Sequence, residues 1–239
     1  MKVEYYGASD VGLKRTNNED AFAARSDLGF CTVADGMGGA AAGEIASGIF
    51  VDTCVEVFTD QNDTAGLEEK VKRAFTLANT RMLEHVAARP EHAGMGCTAE
   101  ILATRDNEVV IGHVGDSRTY RLRSGELRQL TVDHSLVQDQ VNRGIITAQE
   151  ARTHAMRHVI LRAVGSKDHV ELDILRGRCQ AGDIFLLCSD GLSDMIDDNR
   201  IIRCLAQGLT LQDMAGRLID DAKTAGGKDN VTVVLARIT

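Results

Sequence analysis

The chain has 239 residues, 44% of them hydrophobic and 26% charged, with a formal net charge of −8. This balance belongs to a soluble globular protein and excludes a disordered chain, which lacks the apolar residues to build a core. The acidic excess, with no basic run and no basic–aromatic interleaving, argues against nucleic acid as a partner.

In chain order, Val3–Ser9 and Asp20–Ala24 read as strands, and Phe30–Ala34 (FCTVA) is a short β-forming apolar run that ends at Asp35-Gly36. Two amphipathic helices follow. One carries Ile45, Ile49, Phe50, Cys54 and Val57 on a face, the other Leu67, Val71, Ala74, Phe75, Ala78, Met82 and Val86. Cys97–Thr104 and Val109–Val114 are predicted strands around a polar turn at Arg105-Asp106-Asn107. Thr119–Arg123 and Leu127–Leu130 flank the hairpin signal Ser124-Gly125. A polar stretch with helical potential, Ser135–Val164, precedes strands at Val170–Leu175 and Ile184–Leu187. A helix is predicted over Asp198–Ala206. Another starts at Thr210, where Thr210-x-x-Asp213 resembles a capping box, and a last strand covers Val231–Ile238. Strands cluster and helices pair instead of alternating one by one, which points to an α+β layered fold, with helix pairs covering stacked antiparallel sheets.

The single proline, Pro90, and the absence of low-complexity tracts leave no visible boundary, so one domain over 1–239 is expected. The longest apolar runs, such as IFLLC after Asp183, are too short to span a bilayer, and MKVEYYGASD carries no apolar signal region; a cytoplasmic protein is expected. Cys31, Cys54, Cys97, Cys179, Cys188 and Cys204 form no C-x-x-C pair and read as buried free thiols.

The informative feature is the placement of aspartates. Asp35 follows an apolar strand and precedes Gly36. Asp116 follows Ile111-Gly112-His113-Val114-Gly115, Asp190 follows Ile184–Ser189 and precedes Gly191, Asp229 immediately precedes the last strand, and Asp20 begins a short one. Any one alone is a turn or cap residue. Five acids at the mouths of buried elements would repel one another unless a cation lay among them. Hard divalent ions such as Mg²⁺ or Mn²⁺ take oxygen ligands. An all-oxygen site, with two metals activating a water for in-line attack on phosphorus, follows as an expectation. Arg15, five residues before Asp20, is the candidate phosphate anchor, because a guanidinium forks onto phosphate oxygens.

The blocks SDVGLKRTNNED (Ser9–Asp20), VADGMGG (Val33–Gly39), GDSR (Gly115–Arg118), SDGLSDM (Ser189–Met195) and GGKDNVTVV (Gly226–Val234), in this order, resemble the PPM family of metal-dependent serine/threonine protein phosphatases, also called type 2C, in its stand-alone bacterial form. The resemblance spans nearly the whole chain. It implies an α-β-β-α sandwich with metals in a channel at one end of the two sheets. It also implies hydrolysis of phosphoserine and phosphothreonine in proteins by direct attack of a metal-bridging hydroxide, with no phosphoenzyme. Under it, Asp35 bridges two Mn²⁺ or Mg²⁺ ions and Gly36 offers its carbonyl to the first. Asp20, Asp190 and Asp229 hold the second, and Glu19 acts through a water. Asp116 and Asp190 hold a third, weaker ion, near which Asp194 falls. Arg15 holds the substrate phosphate, and Ser135–Val164 corresponds to the family's variable flap. Phosphorylated proteins, including a Ser/Thr kinase, are the implied partners, and a monomer is expected. One departure is Met37, where some members carry a histidine proposed as general acid; a thioether donates no proton.

Rival chemistries fare worse. Gly36-Met37-Gly38-Gly39-Ala40-Ala41 matches G-x-G-x-x-A, but the acid expected about 20 residues on, Glu56, lies in a helical pattern. Gly226-Gly227-Lys228 lacks the upstream glycine and the Ser/Thr of a Walker loop. No cysteine has an arginine six residues on, as a thiol phosphatase requires, and no Asp-x-Asp supports an aspartyl-phosphate. His154 and His158 have i,i+4 spacing but no H-E-x-x-H, and read as surface or flap residues; His113 reads as core or channel wall. A non-catalytic relative would have lost a bridging acid, and none is lost here. A small-molecule phosphoesterase would use the same ligands.

Overall fold

The computed structural model describes residues 1–38, 42–60 and 64–239. Among the described residues ten strands form two five-stranded antiparallel sheets. The first has the order β1 (Val3–Asp10), β10 (Val231–Ile238), β9 (Ile184–Cys188), β6 (Arg118–Arg123), β7 (Glu126–Gln129). The second has the order β2 (Asp20–Arg25), β3 (Phe30–Met37), β4 (Gly96–Arg105), β5 (Glu108–Val114), β8 (Asp173–Arg178). Helices α1 (Ala42–Thr59) and α2 (Leu67–Ala88) cover the second sheet; α6 (Asp198–Leu205) and α7 (Leu211–Thr224) cover the first. The layer order is α-β-β-α, as the clustered strands and paired helices predict.

Period-two alternation sends successive side chains into different layers. In β10, Val231, Val233 and Leu235 face α6 and α7, while Val234, Ala236 and Ile238 meet the other sheet. In β3, Phe30 and Ala34 face α1, while Cys31 and Val33 enter the layer between the sheets with Leu102, Phe185 and Leu187. Because both faces are covered, the central strands read as near-continuous apolar runs. Aromatic stacking adds to the helix layer: Phe30 stacks on Phe58 at 4.3 Å, and Phe50 meets Phe75 edge-on at 4.9 Å.

Several elements differ from the sequence reading for identifiable reasons. β3 runs three residues beyond Ala34, because Asp35, Gly36 and Met37 continue the ladder against Thr98, Cys97 and Gly96. The strand expected at Val170–Leu175 starts at Asp173 and ends at Arg178, since its register is dictated by β5 (His113 opposite Asp173, Glu108 opposite Arg178). Val170 and Leu172 still pack on the core, from irregular chain. Residues 190–193 form a one-turn helix, α5, an element absent from the sequence reading. At Thr210 the capping box is half made. The Thr210 hydroxyl accepts from the Asp213 N–H, but the Asp213 carboxylate takes the Thr210 hydroxyl instead of reaching the backbone. The helical potential of 135–164 resolves into two short helices, α3 (Leu136–Asn142) and α4 (Ala148–Thr153), the second with a full capping box between Thr147 and Glu150. Ser124 and Gly125 both have positive φ, 50° and 82°, as a two-residue hairpin turn requires.

Phe75 is fully buried between the helix layer and β5, where a Cβ added at Gly112 would lie 2.7 Å from its ring. Phe75→Ala should therefore destabilise the fold by about 3–5 kcal/mol in denaturant titrations; a loss under about 1 kcal/mol would show that α2 is not anchored there.

Candidate metal centre

The antiparallel register of β2 and β3 places Asp20 directly opposite Asp35. Each is thereby fixed by backbone hydrogen bonds and not by a mobile loop. Asp116 follows β5, Asp190 opens α5 after β9, and Asp229 precedes β10. These ends meet at one edge of the sandwich, in a cleft of about 960 Å³ lined by Asp35, Asp116, Asp190 and Asp229, with Glu19, Gly36, Met37 and Arg15 around them. Asp20 sits behind that wall, half-buried, with the Ser189 hydroxyl donating to its Oδ2 at 2.8 Å.

Four of these acids are pushed towards protonation by the fold. Asp35 is held well above the usual carboxylate range, first by burial and then by Asp20, Asp190, Asp116 and Asp229. Asp190 is raised by burial and by Asp116, Asp194, Asp229 and Asp20. Burial lifts Asp20 to about 6, and burial with the nearby Asp133 lifts Asp116 to about 7. Asp20 Oδ1 and Asp190 Oδ1 are buried without any hydrogen-bond donor. Such atoms are costly unless something positive meets them. An all-oxygen set with two orphaned, like-charged oxygens fits hard divalent cations. At Gly36 an added Cβ would lie 2.0 Å from the Gly43 carbonyl oxygen and 2.6 Å from that of Glu19, so only glycine fits where the chain turns from β3 towards α1.

Arg15 stands at the mouth. One Nη donates to Asp229 Oδ2 at 2.8 Å, another lies 3.9 Å from Glu19 Oε2, and the side chain stays 47% exposed, leaving donors for a ligand. Its loop is fastened by Asn230. Asn230 Oδ1 accepts from the Glu19 N–H at 2.8 Å, and Nδ2 donates to the carbonyls of Val11 and Asn17. The Glu19 carbonyl in turn accepts from Gly36 N–H and the Ser47 hydroxyl. A second relay joins Asn18, Ser9, Thr232, Ser189 and Asp20. Sequence reasoning passed over Asn230, Ser189 and Ser47. Only their adjacency to the acidic blocks could have drawn attention to the first two.

Asp194 is present at the rim, with Arg157 Nε at 3.5 Å and His158 Nδ1 at 3.7 Å from its Oδ2. His158, Asp190 and Asp194 bring ligand atoms within 4.8 Å of one another. His158 thus lines the cleft, whereas His154 only accepts from the Met156 N–H; α4 ends at Thr153, so the two do not share a helix face. His113 is fully buried against Glu100 and donates from Nε2 to the Val132 carbonyl at 2.9 Å. All six cysteines are free and buried, and burial pushes their thiols up, away from thiolate chemistry. β3 pairs antiparallel with both neighbours, which removes the dinucleotide reading of its glycine run; residues 39–41 of that run lie outside the described residues.

Carboxylates whose folded pKa is raised favour folding below their unfolded values, and that contribution is lost as pH rises through the folded values. In chelator, stability should therefore fall between about pH 4 and pH 7 as Asp20 and Asp116 ionise. The Tm gain on adding Mn²⁺ should grow over the same window; an equal gain at pH 5 and pH 7.5 would contradict the shared-charge account.

Comparison with known proteins agrees with this geometry. The protein phosphatase 2C family matches residues 13–223. The chain is 40% identical over 239 residues to the serine/threonine protein phosphatase PstP of Mycobacterium tuberculosis, covering all of this chain and 45% of that one. It therefore spans about half the length of that relative. It is 36% identical over 231 residues to the protein phosphatase PhpP of Streptococcus pneumoniae, covering 95% and 94% of the two chains. The crystal structure of the PstP catalytic domain, in complex with two manganese ions, superposes with a TM-score of 0.90 at 38% identity, covering 99% of each chain. The chain belongs to the protein phosphatase 2C family.

Proposed function

We propose that this chain is a metal-dependent protein serine/threonine phosphatase, one catalytic domain over residues 1–239 with 135–164 as its flap. The observation that carries the reading is the convergence of Asp35, Asp116, Asp190 and Asp229 from separate elements on one cleft beside Arg15, with Asp20 behind them. The two manganese ions of the PstP catalytic domain support the same assignment.

Asp35, Asp190 and Asp229 with the Gly36 carbonyl would hold two Mn²⁺ or Mg²⁺ ions, supported by Asp20 and Glu19; Asp116 and Asp190, with Asp194 nearby, would hold a third. Ions of this kind, when bound, acidify water and neutralise charge on a phosphoryl group. The protein's own part is positioning. Arg15 presents its free donors to the phosphate, and Asn230 keeps the Arg15 loop at the required distance. The wide, open cleft suits a phosphorylated side chain carried on a polypeptide better than a small metabolite, which a closed pocket would surround. Phosphoproteins are thus the substrates, with a cognate Ser/Thr kinase among them, and the chain acts as a monomer in the cytoplasm. Among the described residues no helix is long and apolar enough to cross a membrane.

A phosphopeptide assay against phosphoserine, phosphothreonine and phosphotyrosine, with and without chelator, tests the activity. Metal-independent release of phosphate would refute it. Asp35→Asn should lower kcat at least 100-fold while the protein remains folded. Arg15→Ala removes a charge-assisted contact to phosphate and should raise KM roughly 10- to 100-fold, with a smaller change in kcat; an unchanged KM would remove Arg15 from the phosphate site.

A further inference from the structure

The turn that presents Asp116 is gripped by a residue outside the acidic set. His134 N–H donates to the Gly115 carbonyl at 2.7 Å, and Gly115 N–H donates to His134 Nδ1 at 3.1 Å. Both backbone groups of the residue before Asp116 are therefore taken by one histidine. Gly115 has φ of +110°, and a Cβ there would lie 2.4 Å from Thr98, so this turn admits only glycine and has no side chain of its own to stiffen it. The external clamp supplies that stiffness.

The two ring nitrogens have different partners. Nδ1 accepts from a backbone N–H, and Nε2 faces both Asp173 Oδ2 at 3.2 Å and Arg162 Nη1 at 3.0 Å. Arg162 Nη1 holds the other oxygen of Asp173 at 3.0 Å. The His134 ring packs against the ring of buried His113, centroids 4.4 Å apart, and the His134 carbonyl accepts from the Leu161 N–H at 2.7 Å. Leu161 and Arg162 belong to the returning end of the 135–164 segment, where Ser135 and Ile160 also pair. One residue thus touches the Asp116 turn, the core and the root of the flap.

We propose that His134 is a positioning residue that aims Asp116 at its metal through the Gly115 backbone and ties that aim to the flap root. This rests on the reading of Asp116 as a metal ligand. It requires an acceptor at the Nδ1 position, a demand no general packing role imposes.

Mn²⁺ binding, followed by the electron paramagnetic resonance signal of the free ion, provides the test on the full chain. His134→Ala should raise the Mn²⁺ concentration that fills the weakest site by roughly five- to tenfold, the worth of one backbone hydrogen bond, and leave the tighter sites unchanged. His134→Asn, whose Oδ1 falls near Nδ1, should restore most of the affinity. His134→Gln, which reaches towards Asp173 instead, should not. In an Asp116→Ala background the His134→Ala change should add nothing, since its route has been removed. The proposal is overturned if Asn and Gln behave alike, if His134→Ala leaves the weak site intact, or if its effect persists without Asp116. Should Asp116→Ala alone leave Mn²⁺ binding unaltered, the metal reading of Asp116 fails first and takes this inference with it. If His134→Ala does not fold, the Asn–Gln contrast still decides.

Discussion

Repulsion among buried carboxylates organises this molecule. The backbone ladder of β2 and β3 sets Asp20 across from Asp35, and the ends of β5, β9 and β10 add Asp116, Asp190 and Asp229. Without positive charge between them these groups would favour solvent, neutrality or separation. The two sheets forbid separation, because moving any one acid means breaking strand pairing or opening the apolar layer of Leu102, Phe185, Leu187 and Val234. Part of the stability of the apolar layers thus holds in place a site that is unfavourable by itself, and divalent cations return some of it.

The surrounding polar residues make sense as devices for keeping that site rigid. Asn230 ties a loop from the beginning of the chain to its last strand. Ser189 bridges Asp20 and the Thr232 backbone, and His134 closes on Gly115. Each satisfies a backbone or carboxylate group that would otherwise be stranded near the cleft. Arg118 and Asp133 form a further partly buried pair beside Asp116 and act on it in opposite directions, Asp133 raising its carboxyl and Arg118 lowering it. Arg15 differs from these. It is half-exposed and reaches across to Asp229, so its guanidinium is held by an exposed ion pair and not by burial.

Much of this was legible in the order of residues. Clustered apolar strands, paired amphipathic helices and aspartates at strand ends point to the layers and to an acidic site, because those signals are local. What could not be read was non-local. The extension of β3 through Asp35 depends on Thr98, Cys97 and Gly96 standing opposite. The slide of β8 to Asp173–Arg178 depends on β5. The tasks of Asn230 and His134 depend on main-chain groups more than a dozen residues away, and no spacing rule encodes such partners. His154 and His158 read as surface or flap residues despite their i,i+4 spacing; α4 ends before either, and of the two His158 lines the cleft.

The pairing of β1 with β10 carries a temporal implication. Val3 lies opposite Ile238 and Asp10 opposite Val231, so the first strand has no neighbour in its sheet until the last one exists. Asp229 and Asn230 immediately precede that closing strand. During synthesis, then, a nascent chain can lay down the second sheet and its helices while lacking both Asp229 and the Asn230 fastener of the Arg15 loop. Such sequence-distant closure is slow compared with local folding, and it leaves the acidic cleft unfinished until β10 has paired with β1 and β9.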